Sequence, residues 1–126
     1  MKILVLDDAK VIRSLLKLTL ETSNFAVDTC STVDEAYKLF SKISHDLIIV
    51  DYMLEDGRIG LELIERIRHE AQQLNVPCIV LSAEQMSEHV PEAKQLGIKA
   101  WVKKPFTPIG ILDTVNKIFH SAQTAK

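Results

Sequence analysis

Acidic, hydroxyl and ammonium side chains stand where four short apolar runs of the sequence end. Asp7 and Asp8 follow KILVL, Asp51 follows LIIV, Ser82 follows CIVL and Lys104 follows AWVK. Neighbouring carboxylates repel each other and lose hydration beside a buried strand, which raises their pKa unless a cation or a proton compensates them. A single Asp after a strand is commonly a turn or N-cap residue. Four such strand ends together predict a cation-dependent site.

The elements that must position these residues alternate along the chain. Residues 2–6, 25–30, 46–50, 77–81 and 99–103 have the length and apolar content of strands. Between them, apolar residues recur at three- and four-residue steps, as one buried helix face requires. The predicted faces are Val11, Leu15 and Leu18; Val33, Ala36, Tyr37 and Phe40; and Leu61, Ile64, Ile67, Ala71 and Leu74.

Capping residues and a proline predict where several helices begin and end. Thr32 and Glu35 have the spacing of a capping box, and Thr107 precedes a proline at a helix start. Gly97 is typical of a helix stop. Pro91 is tolerated only in a first turn, so the fourth helix is predicted to begin near residue 90 and to have about two turns.

Five strands alternating with five helices predict a doubly wound α/β fold. The strands are nearly continuous Val, Ile and Leu runs, which suits a parallel sheet covered on both faces by helices. In the flavodoxin-like strand order 2-1-3-4-5, the first and third strands are neighbours, and ligands bind beyond the carboxyl ends of such strands. The three aspartates, the serine and the lysine are therefore expected to meet at one edge of the sheet.

The chain resembles the receiver domain of two-component response regulators along its whole length. The matching motifs are the acid pair Asp7-Asp8, the lone Asp51, Ser82 with Ala83, and KPF at residues 104–106, in the order of the family. The resemblance implies one receiver domain over residues 1–126, with no output domain.

The resemblance also implies a role for each site residue. Asp51 is the phosphoacceptor, Ser82 binds a phosphoryl oxygen and Lys104 pairs with it. The metal is Mg²⁺, held by Asp7, Asp8, Asp51 and the backbone carbonyl of Met53. Mg²⁺ and one lysine balance the three carboxylates, and Mg²⁺ prefers oxygen ligands of this kind. Zinc is not expected, because neither Cys nor His accompanies the acids.

The implied function is a phosphorylation switch. The phosphodonor is a histidine of a sensor histidine kinase or a histidine phosphotransfer protein, and Mg²⁺-dependent self-phosphorylation and self-dephosphorylation accompany it. A downstream protein docks on the surface of the fourth helix, fifth strand and fifth helix, after Ser82 and Trp101 rearrange. Trp101 stands where the family mostly has Tyr or Phe, and its larger ring and N–H group oppose free movement. The loop after Asp51 has Glu55 in place of the usual proline and one extra residue before Gly60, which predicts a more mobile loop.

Two other functions remain open on the sequence alone. A phosphohydrolase of the haloacid dehalogenase type also combines a nucleophilic Asp with Ser, Lys and further acids, but it requires an acid where Met53 stands. A phosphorylation-independent interaction module is the other alternative, and the intact set of Asp7, Asp8, Asp51 and Lys104 argues against it.

Composition limits the remaining classes of function. The 126 residues carry a formal net charge of −2, which provides no basic surface for nucleic acid or anionic lipid. No apolar run is long enough for a signal peptide or a membrane span, so a cytoplasmic protein is expected. Cys30 and Cys78 are predicted to be reduced core residues. The four histidines, at positions 45, 69, 89 and 120, are expected on the surface.

Overall fold

The computed structural model describes residues 1–54, 57–72, 75–83 and 90–124, apart from the side chains of residues 90, 92, 93 and 121–124. Five strands and five helices alternate along the chain. They are β1 (Lys2–Leu6), α1 (Lys10–Thr22), β2 (Ala26–Cys30), α2 (Val33–Lys42), β3 (Leu47–Asp51), α3 (Leu61–His69), β4 (Cys78–Ser82), α4 (Val90–Leu96), β5 (Ala100–Lys103) and α5 (Pro108–Thr124).

The strands form one parallel sheet in the order β2-β1-β3-β4-β5, which confirms the predicted order. Side chains that alternate along each strand form two separate cores, as the period of a strand requires. The core beneath α1 and α5 includes Leu16 and Ile111, and the core beneath α2, α3 and α4 includes Ile64 and Leu96. Every strand therefore ends at the same edge of the sheet, where the polar residues follow.

The predicted helix boundaries at Thr32, Thr107 and Gly97 are confirmed. The Thr32 hydroxyl accepts a hydrogen bond from the Glu35 amide at 3.2 Å, and the Thr107 hydroxyl accepts one from the Gly110 amide at 3.0 Å. Gly97 has a φ of +68° directly after α4. The Glu35 carboxylate accepts from the Ser31 amide, so the second half of the capping box lies one residue earlier than predicted.

The prediction of the buried face of α1 is wrong. Val11 and Leu18 are 77% and 69% exposed, whereas Leu16 and Leu20 are fully buried. Helix α1 carries two adjacent apolar stripes, and either one fits the spacing of a buried face. The contact with the sheet selects the stripe that contains Leu16 and Leu20, and the other faces outward.

Helix α3 ends earlier than its predicted apolar face. Leu61, Ile64 and Ile67 are buried as predicted, but the helix stops at His69, and Gln72 takes a left-handed φ of 57°. A helix cannot continue through that conformation. Leu74, the last residue of the predicted face, lies outside the described residues.

Helix α4 begins at Val90, as the position of Pro91 predicts, and has seven residues. Leu96 is buried, in agreement with its predicted core position. The segment that precedes Val90, which includes His89, lies outside the described residues.

The prediction that every histidine lies on the surface is wrong for His45. Its side chain is fully buried, its Nε2 lies 2.9 Å from the Asp28 carboxylate, and its ring stacks on Phe40 with 5.8 Å between centroids. Asp28 is seventeen residues away on β2, so no local pattern indicates the pair. His69 and His120 are exposed as predicted.

Cys30 and Cys78 are buried free thiols, as predicted. In the described part of the chain, no helix combines the length and the apolar content that a membrane span needs.

Candidate functional site

The three aspartates meet at the carboxyl edge of the sheet because β1 and β3 are neighbours. Asp7 directly follows β1, and Asp51 is the last residue of β3. One carboxylate oxygen from each of Asp7, Asp8 and Asp51 lies within 4.8 Å of the others. We call these three residues the acidic cluster. Its formation confirms the predicted convergence of the strand ends.

Asp7 is held by hydrogen bonds that leave one of its carboxylate oxygens unpaired within the described part of the chain. Its Oδ1 accepts from the Ala9 amide at 2.9 Å, and its backbone carbonyl accepts from the Arg13 guanidinium at 2.8 Å. Its Oδ2 is buried with no hydrogen-bond partner among the described residues, and the Lys104 ammonium lies 3.9 Å from it. A buried anionic oxygen is costly to leave unpaired, so this geometry suits a bound cation.

Lys104 connects the fifth strand to the acidic cluster. Its Nζ donates a hydrogen bond to Asp51 Oδ1 at 2.9 Å, and its backbone amide donates to the Ser82 carbonyl at 2.7 Å. Lys103 is exposed and lies opposite Ser82 in the β4–β5 register. Of the two adjacent lysines, Lys104 therefore faces the site, as predicted.

A small cavity of about 140 Å³ opens beside Asp51. We call it the acceptor cavity. Its described lining is Asp51, Tyr52, Met53, Ser82, Ala83 and Lys104. Ser82, the last residue of β4, is buried and is one of these lining residues. A volume of this order accommodates a group of a few heavy atoms, such as a phosphoryl group.

Burial shifts the pKa values of two members of the cluster upward. For Asp7, burial raises the pKa to about 6; the Ala9 amide opposes the rise and the neighbouring Asp51 charge adds to it. For Asp51, burial raises the pKa, whereas the hydrogen bond and the charge of Lys104 lower it. Both shifts show that the unneutralised carboxylates are disfavoured, as expected for a site built to accept a cation.

The backbone turns sharply after Asp51. The Gly60 amide donates to the Tyr52 carbonyl at 2.8 Å, and Met53 forms an isolated antiparallel bridge with Ile59. A Cβ atom at Gly60 would collide with the Asp51 backbone carbonyl, so only glycine fits there. Glu55 lies outside the described residues, and the predicted mobility of this loop stays a prediction.

Trp101 does not line the described wall of the acceptor cavity. Its half-buried ring packs against Tyr52, with 5.5 Å between ring centroids and 48° between ring planes. The sequence motifs predict no role for Tyr52 or Arg13. The position of Tyr52 directly after Asp51 was the available signal for that residue, whereas Arg13 is six residues from Asp7 and nothing in its sequence context indicates the contact.

The family assignment rests on the match of residues 3–116 to the model of the response regulator receiver domain. The chain belongs to this family. A chemotaxis protein of Vibrio cholerae, CheY-3, is 29% identical over 94% of this chain and 92% of its own length. The transcriptional regulatory protein ResD of Bacillus subtilis is 32% identical over 96% of this chain, and the match spans 49% of ResD.

The structure leads to the same family. The solved structure of the Vibrio cholerae chemotaxis response regulator CheY4 has a TM-score of 0.85 and 30% identity, and the match covers 92% of this chain and 96% of that one. The doubly wound fold predicted from the strand pattern and the receiver family implied by the motifs are thereby confirmed. These comparisons give no support to a haloacid dehalogenase activity.

Proposed function

We propose that this receiver domain is a phosphorylation-activated signalling switch whose phosphoacceptor is Asp51. The observation that carries the proposal is the contact of the Asp51 carboxylate with the Lys104 ammonium at 2.9 Å, at the wall of the acceptor cavity. Asp51 is buried and adjoins two further carboxylates. This arrangement places a nucleophilic oxygen beside a fixed positive charge, which phosphoryl transfer requires.

Mg²⁺ is the cation that the donor set fits best. The acidic cluster offers only oxygen atoms, and hard divalent cations prefer oxygen ligands. We assign the ligands to Asp7, Asp8, Asp51 and the backbone carbonyl of Met53. When bound, Mg²⁺ would neutralise two of the three negative charges and stabilise the negative charge of a transferring phosphoryl group.

The transfer step follows from the positions of the side chains. A carboxylate oxygen of Asp51 forms a bond to phosphorus while the bond from phosphorus to the donor nitrogen breaks, and that nitrogen keeps the electron pair. Lys104 neutralises charge on the phosphoryl oxygens, and the Ser82 hydroxyl donates a hydrogen bond to one of them. The product is an acyl phosphate on Asp51.

The phosphodonor is a histidine of a partner protein. No histidine is present among the described residues that line the acceptor cavity. Membership of the receiver family indicates a sensor histidine kinase or a histidine phosphotransfer protein as the donor. The same acceptor chemistry applies to a small phosphodonor such as acetyl phosphate, which makes the reaction testable without the partner.

The signal leaves through the surface of α4, β5 and α5. Ser82 ends β4 and contacts the backbone of Lys104, and Trp101 lies on β5 three residues before that lysine. A shift of Ser82 toward a new phosphoryl group therefore acts on the strand that carries Trp101. We propose that a downstream protein recognises the altered surface.

Incubation with acetyl phosphate and Mg²⁺, followed by intact mass measurement, tests the acceptor. We expect the mass of the wild-type chain to increase by one phosphoryl group. Asp51→Asn should abolish this gain, because an amide cannot attack phosphorus. Asp113→Asn, an exposed change on α5, is the matched control and should retain it. Labelling of Asp51→Asn at the wild-type rate would contradict the assignment.

A further inference from the structure

Tyr52 and Trp101 form a contact that connects the acceptor to the edge strand. Tyr52 is joined to Asp51 by a peptide bond and is only 8% exposed. Its ring centroid lies 5.5 Å from that of Trp101, at an interplanar angle of 48°. Tilted aromatic pairs at this separation are attractive beyond simple burial. The only tryptophan of the chain is thus packed against the residue that follows the phosphoacceptor.

Hydrogen bonds hold both the amide and the carbonyl of Tyr52. They oppose a displacement of the Tyr52 backbone when Trp101 moves. Its amide donates to the Leu81 carbonyl at 2.8 Å, and its carbonyl accepts from the Gly60 amide at 2.8 Å. The close approach of Gly60 to the Asp51 carbonyl restricts the same turn from the other side. Trp101, in contrast, lies on β5, which among the described strands is at the edge of the sheet and pairs with β4.

The two rings lie in the core between the sheet and helices α2, α3 and α4. Tyr52 and Leu96, the last residue of α4, belong to this core, and Trp101 packs against it. A change in the position of Trp101 must therefore alter the packing of a core to which α4 also contributes. The contact with Tyr52 is lost or reformed in the same movement.

We propose that Tyr52 is a positioning residue that holds Trp101 half-buried in the unphosphorylated chain and sets how readily Trp101 responds when Asp51 is modified. The role of Tyr52 in signalling rests on the proposed function. The packing of Tyr52 against Trp101 does not, because it exists in the unmodified chain. The aromatic ring supplies the contact, so phenylalanine should replace tyrosine at this position. An aliphatic side chain of smaller area should not hold Trp101 as well as tyrosine does.

The experiment measures acrylamide quenching of Trp101 fluorescence in metal-free protein, with excitation selective for tryptophan. We expect Tyr52→Ala to raise the quenching constant about twofold or more, because one face of the indole loses its packing partner. Tyr52→Leu, which keeps most of the apolar volume, should raise it by less, and Tyr52→Phe should leave it unchanged. Tyr37→Ala is the matched control, because Tyr37 lies on α2 beneath the Arg66 guanidinium.

A second measurement follows the change in Trp101 fluorescence when Mg²⁺ and beryllofluoride are added. We expect Tyr52→Phe to keep the wild-type change and Tyr52→Ala to lose or reverse it. Equal quenching in wild type, Tyr52→Leu and Tyr52→Ala would overturn the proposal, as would an equal increase in Tyr37→Ala. Because quenching is measured before phosphorylation, failure of Asp51 labelling would refute the proposed function and leave this packing test intact. If Tyr52→Ala fails to fold by circular dichroism, Tyr52→Leu decides the result.

Discussion

The two oxygens of the Asp7 carboxylate differ in their surroundings. One of its oxygens accepts a hydrogen bond from the Ala9 amide, and the other is buried and has no such partner in the part of the chain that the structure describes. The ordinary response of such a group is to retain a proton, and burial raises its pKa to about 6. The metal-free protein is therefore destabilised by ionisation of Asp7, and a cation would relieve this cost.

Asp7→Asn is expected to stabilise the protein in EDTA near neutral pH. The folded-state pKa of about 6 exceeds the ordinary value of 3.8, so native stability is lost as the pH rises from about 4 to about 6. Asn cannot ionise, and it should raise the free energy of unfolding by roughly 1 to 3 kcal/mol near neutral pH. Urea unfolding of both proteins at several pH values measures the difference.

The pH dependence distinguishes this cause from improved packing. Below about pH 3, Asp7 is protonated in the folded and unfolded states alike, so the advantage of the variant should vanish. Asp113→Asn, on the exposed face of α5, should show no comparable dependence on pH. A stabilisation by Asp7→Asn that persists unchanged at low pH would contradict the explanation.

In the turn between β3 and α3, Gly60 lies very close to the backbone carbonyl of Asp51. A methyl group at Gly60 would meet the Asp51 carbonyl, although Gly60 itself has an ordinary helical φ of −58°. Glycine is therefore required there because a side chain has no room, and not because of the backbone conformation. Any displacement of this turn also moves the residue that carries the acceptor carboxylate.

Gly60→Ala is expected to destabilise the protein by about 1 to 3 kcal/mol and to slow labelling of Asp51, because the turn must shift to admit the methyl group. Gly97→Ala is the matched control. Its φ of +68° costs about 1 kcal/mol for alanine, but the added methyl meets no atom within 4 Å. Thermal unfolding and intact mass measure both properties. Equal labelling rates in the two variants would show that the Gly60 approach does not position Asp51.

Helix α4 is shorter than its neighbours, and a buried arginine contacts its last residue. It has seven residues, against thirteen in α1. The buried Arg68 guanidinium, on α3, donates to the Leu96 carbonyl at 3.0 Å and to the Val76 carbonyl at 2.8 Å, which connects the last turn of α4 to α3 and to the segment before β4. Short helices with few buried contacts open more readily than long ones.

Hydrogen exchange should show this difference between the helices. Backbone amides of residues 94–96 are expected to exchange faster than those of residues 16–20 in the unphosphorylated protein, and to slow when Mg²⁺ and beryllofluoride are added. Exchange in α1 serves as the internal reference, since both of its ends lie outside the proposed output surface. Protection of α4 equal to that of α1 before activation, or no gain afterwards, would contradict a mobile role for α4.

The whole chain should become more stable when the acidic cluster is neutralised. A ligand that binds only the folded state raises the free energy of unfolding in proportion to the logarithm of its concentration. We expect Mg²⁺ to raise the melting temperature modestly, and Mg²⁺ with beryllofluoride to raise it further. Asp51→Asn should lose the second increase, because it lacks the carboxylate that binds the phosphoryl analogue. If the melting temperature of Asp51→Asn rises as much as that of the wild type, beryllofluoride binds at another site.

The fold and the composition of the site could be predicted from the sequence because their signals are local. Each strand is a short apolar run, and the residue after it must lie at the carboxyl edge of a parallel sheet. Asp7, Asp51 and Ser82 are therefore brought together by topology alone, whatever the details of packing. The start of α4 is equally local, because Pro91 lacks the amide that a helix interior requires.

Tertiary structure alone decided the contacts between distant elements. Two stripes of α1 are apolar, and only the contact with the sheet shows that Leu16 is buried and Leu18 exposed. His45 is buried because Asp28, on another element, pairs with it. The packing of Tyr52 against Trp101 depends in the same way on the register of β3, β4 and β5. Periodicity specifies which residues share a face of one element, whereas the partner of that face is set by the arrangement of all the elements together.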